Sequence, residues 1–262
     1  MLKNKLLING LSVSYYLHNN KSINAVDNIF IELKKGESLG IAGESGCGKS
    51  TLVSAVMRNL TPPGKITAGS IFLDGEEITK LSDKDFDSRI RWKKISLIFQ
   101  GALNSLDPVY TIKTQIKDVF ETHGQSYDKE KVLTLLENVG LEKSVLRKYP
   151  HEISGGMKQR IVIAIALLLE PDIIIADEPT TALDVLIQAQ IIKLLKKLKE
   201  KGISIILISH DLALISELVD KIGIMYAGKI VEFNSTKEII FAPKNEHTKK
   251  LILSTPQLGQ TL

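Results

Sequence analysis

The feature that most constrains this chain is a glycine-rich octapeptide, GESGCGKS, at Gly43–Ser50. It follows a short apolar run, Ser38–Ala42, and precedes a stretch with helical spacing, Thr51–Leu60. It matches the pattern G-x-x-x-x-G-K-[ST], in which consecutive backbone N–H groups form an anion site at the start of a helix. The sequence therefore predicts a strand, a loop and a helix in succession, with a binding site for a nucleoside triphosphate.

Two side chains of this loop carry specific chemistry. Lys49 supplies a positive charge for the β- and γ-phosphates, and Ser50 offers a hydroxyl ligand to Mg²⁺. The alternative is a chance glycine-rich turn, which the flanking strand and helix make improbable. The predicted nucleotide-binding residues of the loop are Gly43, Glu44, Ser45, Gly46, Cys47, Gly48, Lys49, Ser50 and Thr51.

Further candidates follow two apolar runs that read as buried parallel strands. Asp177 and Glu178 come directly after Ile173–Ala176, and His210 comes shortly after Ile203–Ile208. Ligands of open α/β sheets are contacted at the carboxyl ends of the strands. Asp177 is placed to hold Mg²⁺ through its water shell, Glu178 to polarise an attacking water, and His210 to sense the γ-phosphate. The alternatives are an ordinary acidic loop start and a structural histidine.

A second glycine pair precedes the apolar run Ile161–Leu169. Ser154 is a good N-cap, and Gly155 and Gly156 expose backbone N–H groups near a helix start. The pattern predicts an interruption at these glycines before the apolar helix. The motif is a second anion site or, alternatively, only a structural cap.

The order of the elements indicates the fold class. Early strands at Leu6–Val13 and Ala25–Leu33 are followed by strands that alternate with helices, which predicts a mainly parallel sheet wrapped by helices. The mostly helical stretch at about 100–168 reads as an inserted subdomain. With 262 residues and 44% hydrophobic residues, the chain can bury one large α/β core.

Composition excludes several other classes. The net charge of +4 is too small to indicate nucleic acid, so we expect no nucleic-acid partner. The single cysteine excludes an internal disulfide framework and favours a reducing compartment. No secretory signal is visible. A helical span needs about 20 continuous apolar residues, which no run here approaches.

In motif content and order the chain resembles the ABC ATPase family, an α/β phosphate-loop NTPase fold with N-terminal antiparallel strands and an inserted helical subdomain. The family signature LSGGQ reads ISGGM here, with Met157 replacing the glutamine. In that family, the signature of one subunit (here Ser154, Gly155, Gly156 and Met157) closes over the ATP held by the phosphate loop of another.

The resemblance also implies roles for single residues. Gln100 is similar to the Q-loop glutamine, which contacts Mg²⁺ and the attacking water. Asp184 is similar to the D-loop aspartate, and His210 to the switch histidine. Tyr15, in preference to Tyr16, would stack on adenine. The implied cofactors are ATP and Mg²⁺.

A narrower resemblance is to the nucleotide-binding subunits of oligopeptide and dipeptide importers. It rests on SGGMKQR, on Gly101–Pro108 (GALNSLDP), and on the stretch that begins at Gly228. It implies a domain at 1–235 and a C-terminal extension at 236–262. That tail usually has a His-Pro-Tyr-Thr-like sequence, whereas Glu246–Thr248 reads EHT here, so the role of the tail stays open.

The same resemblance implies partners and a location. We expect a second ATPase subunit, usually a different chain, together with two membrane-spanning permeases and, indirectly, an extracytoplasmic solute-binding protein. The chain would work at the cytoplasmic face of the membrane, powering peptide import through closure and opening of an ATPase dimer.

Other functions stay open at this stage. Related importers carry nickel or oligosaccharides. ABC ATPases of DNA repair or translation usually have long coiled coils or two cassettes, and neither is visible here. GTPases and kinases do not carry SGGM before an apolar helix. A regulatory half-subunit would be favoured by loss of Glu178 or His210, and both are present.

Overall fold

The computed structural model describes residues 4–16, 21–99, 101, 105–181 and 183–255. Its core is a six-stranded sheet with the strand order β10-β9-β3-β8-β7-β6. All neighbouring pairs are parallel except β9 and β10, which form an antiparallel hairpin. The strands are β3 (Ser38–Ala42), β6 (Ile95–Ile98), β7 (Ile173–Asp177), β8 (Ser204–Ser209), β9 (Lys221–Tyr226) and β10 (Lys229–Ser235).

The central strands are buried along their whole length. Every residue of β3, β7 and β8 is buried, as expected for strands covered on both faces. Strands β3, β7 and β8 lie side by side, so their carboxyl ends meet at one edge of the sheet. That edge is where the predicted site residues converge.

A second, antiparallel sheet has the order β2-β1-β4-β5. Residues Leu6 and Ile8 of β1 point inward, and the intervening Leu7 is only half-buried, which is the period-2 pattern of a strand with one covered face. The strands are β1 (Asn4–Tyr16), β2 (Ser22–Lys34), β4 (Gly64–Leu73) and β5 (Glu76–Glu77). Helix α1 (Lys49–Val56) places Leu52 and Val53 in one buried cluster with residues of both sheets.

Most of the remaining helices pack around the core sheet or form the segment between β6 and β7. That segment contains α3, α4 and α5, and its apolar residues join the main buried cluster. The helices are α2 (Asp83–Arg89), α3 (Ile112–Thr122), α4 (Lys129–Asn138), α5 (Gly155–Ala166), α6 (Val185–Glu200), α7 (Leu212–Ser216), α8 (Thr236–Phe241) and α9 (Glu246–Leu253). No helix in the described ranges combines the length and apolarity needed to cross a bilayer.

The expected α/β architecture is confirmed, and three local predictions are corrected. The predicted Ser154 N-cap is confirmed, since its hydroxyl accepts from the Met157 amide, but the glycine pair does not interrupt the helix: α5 begins at Gly155 and includes both glycines. Helix α1 ends at Val56, before Arg58 with its positive φ of 50°, rather than continuing to residue 60. The apolar residues at Ser70–Leu73 predict only the last part of a strand, whereas β4 begins at Gly64, because its polar first half pairs with β1.

Candidate functional site

The phosphate loop leaves β3 at Ala42 and enters α1 at Lys49. Gly48 has a φ of 111°, and a Cβ at this position would lie 2.1 Å from the carbonyl oxygen of Ala25. Gly46 also has a positive φ, of 80°, but nothing lies within 4 Å of its would-be Cβ. Gly48 is therefore required both by backbone conformation and by space, and Gly46 by conformation alone.

Lys49 lies inside this loop. Its side chain is buried, and its Nζ donates to the carbonyl oxygens of Gly43 at 2.7 Å and Glu44 at 2.9 Å. The Cys47 sulfur lies 3.6 Å from the same nitrogen. The loop thus surrounds the ammonium with oxygen acceptors, which offset its burial and place its charge where an anion bound by the loop amides would lie.

Asp177, the last residue of β7, is a buried carboxylate close to this loop. Burial raises the pKa of its carboxyl above the ordinary value, and the nearby Ser50 hydroxyl and Lys49 ammonium only partly oppose this. Its Oδ1 is buried without a hydrogen-bond partner among the described residues. Mg²⁺ prefers oxygen ligands and is usually held by one or two protein side chains together with phosphates and waters. Asp177 and Ser50 fit that role.

Glu178 follows Asp177 in a left-handed conformation, with a φ of 47°. Its amide donates to the carbonyl of Ile208 at 2.9 Å, which ties it to the neighbouring strand β8. A non-glycine residue in this conformation is uncommon and stores strain that is often found at functional sites. The two adjacent carboxylates have different neighbours: Asp177 lies near Ser50 and Lys49, whereas Glu178 contacts His210 and Thr181.

Two side chains of the described residues hold the Glu178 carboxylate. Its Oε1 lies 3.1 Å from Nδ1 of His210, and its Oε2 accepts from the Thr181 hydroxyl at 2.9 Å. Burial raises the pKa of Glu178, but these two hydrogen bonds, together with electrostatic attraction to His210 and Lys49, hold the pKa below the ordinary value. The group is therefore a carboxylate at neutral pH, oriented and able to accept a proton.

A cavity of about 310 Å³ brings the loop and this carboxylate together. Glu178 lines it together with Lys49 and Ser50. The other lining residues are Ala25 of β2 and Ser45, Gly46, Gly48 and Thr51. Three other predicted loop residues, Gly43, Glu44 and Cys47, do not line it. Cys47 is buried behind the loop, so only its backbone can take part in binding.

The four residues of the signature motif lie outside this cavity. Ser154 is the exposed N-cap of α5, and Gly156 is buried so close to Ile187 of α6 that a Cβ would approach its side chain to 3.0 Å. None of Ser154, Gly155, Gly156 and Met157 lines the cavity at the phosphate loop within the part of the chain that the structure describes. The helix starts at the phosphate loop and at the signature motif are thus separate surfaces of one chain.

The other predicted residues are placed as follows. Tyr15 pairs with Gly64 across β1 and β4, and a Cβ at Gly64 would lie 2.7 Å from the Tyr15 ring. Tyr16 is about half exposed. Asp184 caps α6 by accepting from the Ile187 amide at 3.0 Å. Gln100 lies outside the described residues.

One element behind the loop was missed by the sequence reasoning. The β9–β10 turn packs against it: the Gly228 amide donates to the Cys47 carbonyl at 2.9 Å, and the Gly228 carbonyl accepts from the Asp27 amide at 2.8 Å. Ala227 and Gly228 both have positive φ, of 45° and 80°, as in a two-residue hairpin. An Ala-Gly pair between apolar runs is the signal that could have found this turn.

Comparison with known proteins agrees with this geometry. The family model described as "ABC transporter" matches residues 26–181. The chain is 42% identical to the dipeptide transport ATP-binding protein DppD of Bacillus subtilis over 97% of its own length and 77% of that protein. It is 44% identical to the oligopeptide transport ATP-binding protein OppD of Lactococcus lactis subsp. cremoris, over 88% of this chain and 70% of that one.

A solved structure is similar as well. The dimeric ATP-binding cassette MJ0796, in a post-hydrolysis state bound to ADP and Pi, superposes with a TM-score of 0.77 at 29% identity, covering 88% of this chain and 98% of that one. The fold and the phosphate loop thus define an ATP-hydrolysing cassette. The chain belongs to the ABC transporter family, and it is an ATP-binding and ATP-hydrolysing subunit.

Proposed function

We propose that this chain powers peptide import, by binding ATP between itself and a partner ATPase and hydrolysing it to reopen the pair. The observation that carries the proposal is the Glu178–His210 pair beside the phosphate loop, which gives the chain an equipped hydrolytic half-site. Peptides are favoured as the solute because the similar proteins are dipeptide and oligopeptide transport ATP-binding proteins.

Each side chain has a distinct part in this mechanism. The loop amides and Lys49 bind the β- and γ-phosphates, and Tyr15 stacks on the adenine. Glu178 orients the attacking water and accepts its proton, while His210 holds the Glu178 carboxylate in place. Closure of the site excludes water and strengthens each of these charge interactions.

Magnesium would be held by Ser50 and Asp177, with Gln100 as a further contact. When bound, Mg²⁺ supplies positive charge to the phosphate oxygens as the γ-phosphoryl group departs. The buried, unpaired Oδ1 of Asp177 supports this assignment.

The site needs a second chain. Ser154–Met157 would contact the ATP held by the partner's loop, and the partner would return the same contact. Two apolar side chains after Asp184 support a protein contact there, because Val185 and Leu186 are 79% and 77% exposed at the start of α6. Without that partner, the chain would be a poor ATPase.

The membrane partners would contact the surface around Gln100. Phe99, Val109 and Tyr110 flank the segment and are at least half exposed, an arrangement that suits two permease subunits. In contact with the permeases, the chain would work at the cytoplasmic face of the membrane. A second, different ATPase chain would complete the pair, and an extracytoplasmic solute-binding protein would be an indirect partner. In this scheme the cassette is residues 1–235 and the extension is residues 236–262.

Uptake measurements test this function. Cells in which Lys49→Ala replaces the native chain should lose uptake of labelled dipeptides and oligopeptides and keep uptake of nickel and oligosaccharides. Lys35→Ala, at an exposed turn, is the matched control and should take up peptides normally. Unimpaired peptide uptake with Lys49→Ala would refute the proposal, as would selective loss of nickel or oligosaccharide uptake.

A further inference from the structure

The C-terminal helix α9 contacts the core through two stacked rings. His247 lies on Tyr226 with the ring centroids 3.6 Å apart and the planes inclined by 20°. Tyr226 is the last residue of β9, and His247 is in the first turn of α9. This contact links the tail to the turn that was missed from the sequence.

From Tyr226 the contacts lead directly to the phosphate loop. The next residues, Ala227 and Gly228, form the hairpin turn whose Gly228 amide donates to the Cys47 carbonyl. On the other side, the backbone of Met225 lies so close to Gly43 that a Cβ there would approach the Met225 carbonyl oxygen to 2.2 Å. The phosphate loop therefore packs directly against residues 225–228.

Helix α9 is fixed independently of the stack. The Glu232 carboxylate on β10 accepts from the amides of Lys244 at 2.9 Å and Asn245 at 3.0 Å, just before the helix begins. The helix's own residues Thr248 and Ile252 are fully buried. The His247 ring is thus presented by an anchored helix, and it can restrain Tyr226 rather than merely follow it.

We infer that His247 is a positioning residue for nucleotide binding: through Tyr226 it holds the β9–β10 turn, and through that turn the phosphate loop, in the conformation that receives the phosphates. The inference rests on the nucleotide-binding role of the loop but not on peptide import. It also gives the C-terminal extension a role in the ATP site, although α9 contributes no residue to the cavity.

Equilibrium binding of a fluorescent ATP analogue to the full chain, with Mg²⁺, tests this. His247→Ala should raise the dissociation constant about three- to tenfold, the range expected for loss of one aromatic pair. His247→Phe keeps a stacking ring and should restore binding to within twofold of the wild type. Lys249→Ala, on the same helix and in a surface ion pair with Glu246, is the matched control and should bind as the wild type does.

Hydrogen–deuterium exchange separates positioning from a purely structural role. In His247→Ala without nucleotide, amides of the loop at 43–50 should exchange faster, whereas those of α5 should not change. Wild-type affinity in His247→Ala overturns the inference, and so does an equal loss of affinity in His247→Phe. Failure of the wild-type chain to bind the analogue would refute the role of the loop itself, and the inference with it.

Discussion

His210 Nδ1 lies 3.1 Å from Glu178 Oε1, joining the ends of two adjacent strands that are 32 positions apart in sequence. A carboxylate can only accept, so this ring nitrogen must carry the proton. The histidine is 61% exposed and the glutamate 13%, so the contact runs from the surface into the site. The pair orients the group that would take the proton from water.

Replacing His210 by Ala tests this orienting role. We expect turnover by the assembled transporter to fall about 100-fold, because the Glu178 carboxylate loses the hydrogen bond from His210 and general-base efficiency depends on placement. His123→Ala is the control, since that ring bonds to the Val119 carbonyl, and it should retain activity. Steady-state ATPase rates decide, and full activity in His210→Ala would contradict the role.

Thr181→Val gives a pH test. The Thr181 hydroxyl donates to Glu178 and helps hold the pKa of that carboxyl below its ordinary value. Without this hydrogen bond the pKa of Glu178 rises. As the pH is lowered, Glu178 is therefore protonated at a higher pH than in the wild type, and turnover is lost at that higher pH. The acid limb of the kcat profile should therefore shift upward, by less than about one pH unit. A limb that stays in place or moves down would contradict this assignment.

Asp177→Asn should raise stability while lowering activity. Burial raises the pKa of Asp177, so its charged form opposes folding at neutral pH, and removing the charge should stabilise the fold by about 1 kcal/mol without Mg²⁺ or nucleotide. The melting temperature should rise by about 2–4 °C, and Mg-ATP turnover should fall.

A second aspartate, Asp172, is a control for which the opposite change in stability is expected. Ion pairs with Lys5 at 3.0 Å and Lys94 at 2.9 Å help to lower the pKa of Asp172, so Asp172→Asn should destabilise the fold. Thermal unfolding of both variants measures whether each substitution stabilises or destabilises the fold. Destabilisation by Asp177→Asn would show that its charge is compensated in the folded chain.

Two glycine substitutions in the loop should differ sharply. Gly48→Ala adds a Cβ only 2.1 Å from the Ala25 carbonyl oxygen and should abolish nucleotide binding, because the loop must move. Gly46→Ala meets no atom within 4 Å and bears only the strain of positive φ, about 1–2 kcal/mol. Calorimetric titration with ATP measures both variants. Equal affinities would contradict the steric account.

Elements that a local residue pattern determines could be predicted from the sequence. The apolar run Ser38–Ala42 coincides with β3, and Ile173–Ala176 forms β7 up to its last residue, Asp177. Both are fully buried strands whose unbroken apolar character needs no knowledge of their neighbours. For the same reason the phosphate loop and the two carboxylates at the end of β7 could be placed before the fold was known.

Contacts between distant segments could not be predicted in this way. The His210 contact with Glu178 and the Gly228 bond to Cys47 depend on how strands and turns meet, which no local periodicity encodes. The start of α5 at Gly155 is a local feature, and the Ser154 N-cap predicted it although glycine disfavours helices.

The central claim is that Glu178 activates water in an ATP site completed by a second chain, and Glu178→Gln tests it most directly. The amide keeps the shape of the side chain but cannot take a proton. ATP turnover by the assembled transporter should fall at least about 100-fold, while ATP binding persists and the closed ATPase pair accumulates. Glu200→Gln, at the exposed end of α6, should change neither. Turnover in Glu178→Gln within twofold of the wild type would contradict the account.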